Sequence, residues 1–365
     1  MSSQQQVLAQ QNTQESQQAT SLKLVQQALS GEPLSQRQST EFFSAVVAGE
    51  VTPVLLTALL VALKMRGETA DEIAGAAKAL RQAAQPFPGK VAGSIDCCGT
   101  GGDGSNTINI STTAAIVGAC MGLPVIKHGN RSVSSSSGSA DLLEQLGINI
   151  QQSPAQAANT LKQSNCSFLF APLYHAGIKH AMPVRQALKS RTLFNLLGPL
   201  VNPAAPDFQL LGVYDPALCR VMAEALQQLG TKAAWVVHGS GCDEIALHGK
   251  TNVCQLKDGE ITEFTLSPAD FGLTEHPLSS LAGGMPSENA AATLAILNGS
   301  GQRAHNEAVA MNVAAMLKIA GRGDNLITNT LAVLECLASG KAMHTLQRFK
   351  AISNNNVDNE VSGHG

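Results

Sequence analysis

Between residues 92 and 239, short apolar runs typical of β-strands alternate with longer runs typical of α-helices. The strand-like runs read AGSID, PVIKHG, FLFAP, FQLLGVY and AAWVVHG, and helix-like runs such as TTAAIVGACMG, SADLLEQLG and PALCRVMAEALQQLG separate them. Such alternation favours a parallel sheet, because each helix returns the chain to the end of the sheet where the next strand starts. We therefore predict an α/β fold whose mainly parallel sheet is covered by helices on both faces.

The segments on either side of this region have a helical pattern. Thr52 with Pro53 starts one apolar helix, and Thr69 with Glu72 has the spacing of a capping box. The break PFPGK ends the first helical segment, and ENAAATLAILNG begins the last one. The terminal sequences are polar and cannot bury enough apolar surface to order themselves. The predicted organisation is a disordered tail (1–20), a small helical N-terminal domain (21–88) joined by part of 175–205, a larger α/β domain (89–350) and a second disordered tail (351–365).

The charge and hydropathy of the chain argue against nucleic-acid and membrane partners. Its 24 Lys and Arg residues against 27 Asp and Glu residues give a formal net charge of −3, so no global positive field attracts polyanions. The most apolar helix candidate, VLLTALLVALKM, is shorter than the ~20 residues that span a bilayer. The first residues lack the basic start and apolar core of a signal peptide. We expect small-molecule ligands, and any anion site must be local.

The eight cysteines predict a reducing, cytoplasmic location. They form no C-x-x-C pair and show no zinc-ligand spacing, and most lie in apolar runs. Buried reduced thiols of this kind are typical of cytosolic proteins, where disulfides are rare.

The first candidate site is the segment GTGGDGSNTINIST, called the glycine loop (99–112), which lies between a strand and a helix. It matches the bare G-x-G-x-x-G pattern, but Lys127 and His128 stand where a dinucleotide-binding fold needs an acid. A P-loop is excluded as well, since GKT at Gly249 lacks its upstream glycine. Glycine-rich backbone before a helix start nevertheless offers N–H groups and a partial positive charge. We predict an anion site here rather than a tight turn with a helix cap alone.

The second candidate is the segment KHGNRSVSSSSGSAD, called the serine loop (127–141). It supplies a cation, an amide and several serines between a strand end and another helix start. A serine run by itself is also typical of a flexible linker. Its position favours a ligand site, because open α/β sheets bind ligands at the carboxyl ends of their strands. Together the two loops fit a molecule that carries phosphates at both ends.

The third candidate is the acidic pair of Asp243 and Glu244, which follows the strand AAWVVHG and the break SGC. Adjacent carboxylates are commonly solvated surface residues. Next to a polyphosphate, however, they suit Mg²⁺, which takes one or two protein carboxylates together with phosphate oxygens and water. Asp103 cannot cradle bare phosphate, so we expect it to accept a metal-bound water or a backbone N–H.

Four motifs taken together resemble one enzyme family. GTGGDGSNTINIST, KHGNRSVSSSSGSAD, HAMPVRQALKSRTLFNLLGPLVNP and DEIALHG are similar, in order and spacing, to motifs of the anthranilate phosphoribosyltransferases, and the similarity runs from about Leu22 to Lys350. The resemblance implies a small helical domain, a larger α/β domain and a homodimer. It also implies transfer of the 5-phosphoribosyl group from phosphoribosyl pyrophosphate to the amine of anthranilate, with two Mg²⁺ ions per monomer. This reaction is the second step of tryptophan biosynthesis.

The resemblance also implies which residues bind the donor and the metal. Phosphoribosyl pyrophosphate would be bound by Gly99, Gly102, Asp103, Thr107, Asn109, Ile110, Ser111, Thr112, Lys127, His128, Gly129, Asn130, Arg131, Ser132, Val133, Ser134, Ser135 and Ser139. Magnesium would be served by Ser111, Asp243 and Glu244.

The implied contacts to anthranilate are Gly99, Asn130 and Arg185. Taken without the resemblance, Arg185 is typical of a surface salt-bridge residue. A guanidinium nevertheless matches a carboxylate in a two-point contact, which suits the carboxylate of anthranilate. Ser136 departs from the family pattern, in which lysine is common, so the serine loop lacks an auxiliary cation at that position.

The implied reaction needs no strong general base, and we predict none. The aromatic amine of anthranilate is neutral at pH 7 and is itself the nucleophile, so catalysis should rest on positioning and electrostatic stabilisation. Two alternatives remain open. A pyrimidine nucleoside phosphorylase of the same fold would lack KHGN and the acidic pair, and a nucleic-acid-binding relative should be strongly basic and also lack that pair.

Overall fold

The computed structural model describes residues 18–132 and 136–355 and divides the chain into two compact units. The first, the helical unit, comprises the chain up to Ala84 together with His175–Val201. The second, the α/β unit, comprises Gln85–Tyr174 and the chain from Asn202 onward. Each unit is therefore built from two separate stretches of sequence.

The helical unit consists of short helices. In chain order they are α1 (18–29), α2 (Gln36–Ala48), α3 (Pro53–Arg66) and α4 (Ala70–Ala83), followed after the α/β insertion by α9 (Met182–Leu188) and α10 (Leu193–Leu197). The Thr52 side chain accepts a hydrogen bond from the N–H of Leu55, and Thr69 and Glu72 form the reciprocal capping box. The local sequence thus predicted these two helix starts correctly.

The core of the helical unit joins its two stretches. The fully buried Phe43 meets Phe194 edge to face, with ring centroids 5.9 Å apart. Glu72 is buried too, but its carboxylate pairs with Arg66 and accepts the Leu34 N–H at 2.8 Å. The buried charge is therefore satisfied, as burial of a carboxylate requires.

A seven-stranded sheet forms the frame of the α/β unit. Its strands are β1 (Ile95–Gly99), β2 (Val125–Gly129), β3 (Cys166–Phe170), β4 (Phe208–Gly212), β5 (Ala233–Gly239), β6 (Thr251–Lys257) and β7 (Glu260–Leu266). The spatial order is β3-β2-β1-β4-β5-β6-β7. Strands β1 to β5 are parallel, which confirms the predicted mainly parallel sheet, and β6 and β7 add an antiparallel hairpin. The strand order reverses between β1 and β4, and α/β sheets bind ligands outside the carboxyl ends of their strands at such a point.

Nine helices of the α/β unit lie within the described residues. They are α5 (Ile110–Cys120), α6 (Ser139–Gln145), α7 (Pro154–Ser164), α8 (Ala171–Tyr174), α11 (Leu218–Gln228), α12 (Pro286–Leu297), α13 (Arg303–Ile319), α14 (Leu326–Ala338) and α15 (Lys341–Asn354). Helix α13 is apolar around most of its circumference and is almost entirely buried, in contact with α5, α14 and β4. No helix in the described ranges is both long and apolar enough to cross a membrane.

Helices α1 and α15 extend into segments that the sequence-based division assigned to tails. Residues 18–20 belong to α1, and α15 continues to Asn354. Ile352 and Ser353 are buried, and the Ser353 hydroxyl accepts the Asn149 N–H at 3.2 Å. These contacts come from a distant part of the chain, so the polar composition of the segment did not reveal them. The rest of the two predicted tails, 1–17 and 356–365, lies outside the described residues.

Candidate active site

The glycine loop connects the end of β1 to the start of α5. Gly101, Gly102 and Gly104 have φ angles of +68°, +77° and +78°, which residues with a Cβ atom rarely adopt. Three of the glycines are therefore required by the course of the backbone itself.

The second half of the glycine loop pairs with residues 281–283. Thr107 forms an antiparallel bridge with Ala282, and the Ile108 N–H donates to the Leu281 carbonyl at 2.9 Å. This pairing fixes the loop before α5 begins.

Two of the predicted donor residues lie at the start of α5 with buried side chains. Ile110 is 3% exposed and belongs to the apolar core, and Thr112 is 2% exposed. Their side chains face the protein interior, so a ligand outside the loop can meet only their backbone.

The acidic pair holds both ends of the glycine loop. Asp243 Oδ2 accepts the Gly101 N–H at 2.6 Å, and the Asp243 N–H donates to Asp103 Oδ2 at 3.2 Å. Glu244 Oε1 accepts the Ser111 N–H at 3.1 Å. The structure thus brings together two candidates that lie far apart in the sequence, and Asp103 accepts a backbone N–H.

Two glycines at strand ends permit this close approach. A Cβ atom on Gly99, at the end of β1, would overlap the Asp243 carboxylate. A Cβ atom on Gly212, at the end of β4, would overlap the main-chain carbonyl of Asp243. Asp243 can reach the glycine loop only because neither strand ends in a residue with a side chain.

The acidic pair carries charge that its surroundings disfavour. Burial, followed by repulsion from Asp103, raises the pKa of Asp243 to about 7. Burial, followed by repulsion from Asp243, raises the pKa of Glu244 to about 8, although the ammonium of Lys127 opposes this shift. Burial and mutual repulsion thus disfavour the ionised form of both carboxylates.

Lys127 lies beneath the glycine loop. Its side chain is buried in β2, and its ammonium donates to the Cys97 carbonyl and, at 3.3 Å, to Ser111 Oγ. The first residue of the serine loop therefore contacts the Ser111 hydroxyl at the start of α5. Its neighbour His128 is also buried.

The serine loop is tied to the helix that follows it. The Ser139 hydroxyl donates to the Asn130 carbonyl at 3.2 Å. The N–H groups of Ser132 and Gly138 donate to Asp141 Oδ2 at 3.0 and 2.9 Å. A Cβ atom on Gly129, where β2 ends, would overlap the Ser139 hydroxyl. Three further predicted residues, Val133, Ser134 and Ser135, lie outside the described residues.

Arg131 is the exposed cation of the serine loop. It pairs with Asp141 at 3.1 Å and with Glu144, and its guanidinium lies 5.6 Å from the centroid of the Phe170 ring. These acids raise the pKa of Arg131. The charge of Arg131 is thus already compensated by the chain.

The glycine and serine loops also contact each other directly. Asn109 Nδ2 donates to the Ser137 carbonyl at 3.0 Å, and the Ser137 hydroxyl donates to Asn109 Oδ1 at 3.2 Å. A residue that precedes α5 thereby holds the end of the serine loop.

Arg185 lies in α9 of the helical unit, whereas the other predicted site residues within the described ranges lie in the α/β unit. Its guanidinium is half-buried and lies 5.4 Å from the centroid of the Phe194 ring. Burial lowers the pKa of Arg185. No carboxylate within the described ranges forms an ion pair with it.

Sequence reasoning missed one buried polar pair beneath the site. Asp96 in β1 is fully buried, and Asn202 donates through Nδ2 to Asp96 Oδ2 at 2.9 Å and to the Ile126 carbonyl at 2.8 Å. Burial raises the pKa of Asp96 to about 6, and Lys127 opposes this shift. An acid inside an apolar strand run was the available signal, but its partner comes from a remote segment.

Two family descriptions cover most of the chain. Residues 92–343 match the "Glycosyl transferase family, a/b domain", and residues 22–84 match the "Glycosyl transferase family, helical bundle domain". The fold, the two loops and the acidic pair thus define a glycosyl transferase of the class that combines a helical bundle with an α/β domain.

Individual relatives narrow this class. The anthranilate phosphoribosyltransferase of Pseudoalteromonas translucida is 56% identical over 330 residues, which cover 90% of this chain and 93% of that protein. The anthranilate phosphoribosyltransferase structure from Thermus thermophilus has a TM-score of 0.87 at 42% identity and covers 91% of this chain and 99% of that one. The chain belongs to the anthranilate phosphoribosyltransferase family.

Structures of a more distant relative contain ligands. The enzyme from Saccharomyces cerevisiae is 29% identical, and its complex with PRPP (phosphoribosyl pyrophosphate) and Mg has a TM-score of 0.84, covering 92% of this chain and 98% of that one. A second structure of that enzyme is a complex with 4-fluoroanthranilate, with a TM-score of 0.82 and the same coverage of both chains.

Proposed function

We propose that the glycine loop, the serine loop and the acidic pair form the donor site of a phosphoribosyl transfer enzyme. As a member of its family, the chain transfers the 5-phosphoribosyl group from phosphoribosyl pyrophosphate to the amine of anthranilate. The observation that carries the site assignment is the bonding of Asp243 and Glu244 to both ends of the glycine loop. It supports a compact site in which backbone N–H groups, carboxylates and a lysine surround one anionic ligand.

The proposed donor contacts are of two kinds. Backbone groups of the glycine loop, including those of the buried Ile110 and Thr112, would face the pyrophosphate and ribose. Side chains of the serine loop, such as Asn130 and Ser139, would face the other end of the donor. The remaining residues assigned by the resemblance are proposed with them: Gly99, Gly102, Asp103, Thr107, Asn109, Ser111, Lys127, His128, Gly129, Arg131, Ser132, Val133, Ser134 and Ser135.

The acidic pair and Ser111 fit magnesium by the chemistry of their donor atoms. Carboxylate and hydroxyl oxygens are hard ligands, and Mg²⁺ commonly completes its shell with water and substrate phosphate. The described residues contain no group of three or more His, Cys, Asp or Glu side chains arranged to hold a metal alone, which agrees with a site shared with the donor. The raised pKa values of Asp243 and Glu244 also favour a cation beside them. We propose two Mg²⁺ ions per chain, served by these three residues.

We further propose that Arg185, with Asn130 and Gly99, binds anthranilate. Two observations support this assignment: the Arg185 guanidinium is half-buried, and no carboxylate in the described ranges pairs with it. A planar guanidinium binds a carboxylate through two parallel hydrogen bonds. Arg185 would therefore orient the substrate through the carboxylate next to the reacting amine.

The proposed mechanism depends on positioning. The neutral amine of anthranilate attacks the anomeric carbon of the ribose, the bond to pyrophosphate breaks, and the amine proton passes to water. Backbone N–H groups of the glycine loop stabilise the charge that develops on the leaving group. Bound magnesium would supply further positive charge at that group. The enzyme gains most from holding the two reactants in line, because orientation alone contributes about 7–11 kcal/mol in favourable cases.

The experiment that tests the function follows the fluorescence of anthranilate with the purified chain. We expect the emission to change only when phosphoribosyl pyrophosphate and Mg²⁺ are both present. A parallel assay offers thymidine and inorganic phosphate. Release of thymine, with anthranilate unchanged, would favour the nucleoside phosphorylase alternative.

We also propose that the chain forms a homodimer through its helical unit. Helix α3 exposes Val54, Val61 and Met65 at 77%, 42% and 80%, and α1 exposes Leu29 at 62%. Clustered exposed apolar side chains are typical of protein interfaces. Light scattering should give a molecular mass twice that of the single chain. The double variant Val54→Glu and Met65→Glu should give the mass of a single chain. A wild-type mass of one chain would contradict the proposal.

A further inference from the structure

A pair of asparagines connects the two loops of the candidate site to a third segment. Asn289 Nδ2 donates to Asn109 Oδ1 at 2.8 Å. The same Asn109 holds Ser137 of the serine loop through both atoms of its amide. Asn289 Oδ1 in turn accepts the Gly284 N–H at 2.8 Å. Three segments of the α/β unit thus meet at two amide side chains.

Asn109 is diverted from its usual role in this arrangement. It occupies the N-cap position of α5, yet its side chain forms no capping hydrogen bond. An N-cap asparagine ordinarily accepts an N–H from the first turn and so stabilises the helix. Here the side chain forgoes local stabilisation and holds the serine loop instead.

Asn289 is placed rigidly enough to orient Asn109. It lies in the first turn of α12, is 2% exposed, and its own N–H donates to the Met285 carbonyl at 3.0 Å. A buried amide is costly unless its polar atoms are bonded, and both ends of this amide are. The residue also borders the segment that pairs with the glycine loop, since a Cβ atom on Gly283 would crowd both Asn289 Oδ1 and the Thr107 carbonyl.

We propose that Asn289 is a positioning residue that sets the spacing between the glycine loop and the serine loop. It acts through Asn109 and contacts no reacting atom, and the proposal rests on the donor site proposed above. Because both loops are assigned to the donor, loss of this contact should weaken binding of phosphoribosyl pyrophosphate. Binding of anthranilate should change less, because Arg185 lies in the other unit and only Asn130 and Gly99 of its proposed contacts belong to the two loops.

The test compares Asn289→Ala with the matched variant Thr293→Val. Thr293 lies one turn further along α12, is fully buried, and its hydroxyl meets the Thr113 hydroxyl of α5 at 3.0 Å. Each substitution therefore deletes a hydrogen bond between α12 and the first part of α5 or its N-cap, and Asn289→Ala also deletes the one from the Gly284 N–H. Only Asn289→Ala releases the amide that holds the serine loop.

We expect Asn289→Ala to raise the KM for phosphoribosyl pyrophosphate about tenfold and the KM for anthranilate by no more than about threefold. Thr293→Val should lower the melting temperature to a similar extent and leave both KM values within about twofold. Calorimetric titration of the donor with Mg²⁺ should show the same contrast. Equal changes in the two variants, or a fall in kcat alone, would overturn the proposal.

A second variant keeps the proposal testable if Asn289→Ala folds poorly. Asn289→Asp keeps the side-chain size and the acceptor for Gly284 but places an oxygen against Asn109 Oδ1. It should raise the donor KM at least as far as alanine does, and an unchanged donor KM would overturn the proposal. Failure of the wild-type chain to bind the donor at all would instead refute the proposed function.

Discussion

The α/β unit and the helical unit both contain charge that the chain itself leaves uncompensated, but of opposite sign. The α/β unit gathers Asp103, Asp243 and Glu244 around the glycine loop, next to one buried lysine. The helical unit places Arg185 over an aromatic ring, with no carboxylate paired to it in the described ranges. Half-buried charges without a counter-charge are unfavourable. This contrast supports the proposals that a cation binds in the α/β unit and an anion in the helical unit.

The largest effect is expected from Glu244→Gln, which removes one negative charge from the acidic pair of the α/β unit. Glutamine keeps an Oε1 acceptor for the Ser111 N–H, but magnesium-dependent turnover should fall by more than about a hundredfold. Rates measured across a magnesium titration check this. Near-normal turnover at limiting magnesium would remove Glu244 from the metal site.

The next largest effect is expected from Arg185→Ala. Loss of a hydrogen bond to a charged group should lower kcat/KM for anthranilate about ten- to a hundredfold and leave the donor KM nearly unchanged. Arg185→Lys should recover only part of the loss, because a point charge replaces a planar two-point contact. Aniline, which lacks the carboxylate, is the control acceptor. If the alanine variant slows anthranilate and aniline by equal factors, Arg185 does not bind the carboxylate.

The comparison also predicts opposite pH dependences of stability in the metal-free protein. The pKa of Glu244 is raised by burial to about 8 in the folded chain from 4.5, so stability is lost as pH rises between these values. The pKa of the buried His175 in the helical unit is lowered, mainly by burial, to about 4 from 6.5. The contribution of His175 to stability is therefore lost as pH falls from about 6.5 to about 4, because the unfolded chain takes up the proton at the higher pH.

Chemical denaturation at several pH values separates these two contributions. Glu244→Gln should stabilise the metal-free protein by about 1–3 kcal/mol at pH 8 and little at pH 4. The free energy of unfolding of His175→Gln minus that of the wild type should be about 2 kcal/mol greater at pH 5 than at pH 8. A pH-independent difference for either variant would show that the residue does not titrate as its burial implies.

The smallest effect is expected where the chain already compensates its charges. Arg131 pairs with Asp141 and with Glu144, whose side chain is 39% exposed. Exposed ion pairs contribute about 0–1 kcal/mol and are screened by salt. Glu144→Gln should therefore change stability by less than about 1 kcal/mol and the donor KM by less than about twofold. A large loss in either measurement would mean that the Arg131 cluster orders the serine loop.

Local sequence signals predicted the parts of the fold that local interactions determine. The caps at Thr52 and Thr69 use side chains within three residues of the helix start, and the five parallel strands lie in short apolar runs flanked by glycine or proline. The hairpin of β6 and β7 was missed, although Asp258-Gly259 is a typical two-residue turn and both residues have positive φ angles. Strand β7 is mostly exposed, so its apolar pattern is too weak to identify a strand.

The sequence predicted the position of the candidate site but not the contacts that hold it together. Strand ends before polar loops indicated where ligands bind, and the structure brings the acidic pair to the glycine loop. Asn202, which bonds to β1 and β2 beneath the site, and Asn289, which bonds to Asn109, come from remote segments and carry no local motif. The need for glycine at Gly212 likewise arises from the approach of Asp243 across the sheet. The individual ligand contacts, including those of Arg185, stay predictions until the experiments above are done.

The reversed direction of β6 lets the acidic connection, the segment that carries Asp243 and Glu244, vary in length without a change in the sheet. Because β6 runs antiparallel to β5, the segment between Gly239 and Thr251 leaves and re-enters the sheet at one edge. A parallel successor would need a crossover of about a dozen residues or more to the far end. Here the connection can change length outside Asp243 and Glu244, which bond to the glycine loop, while β1 to β4 keep their places. Substitutions in this segment are thus a route to altering the proposed metal site, in the laboratory or through divergence, without redesign of the sheet.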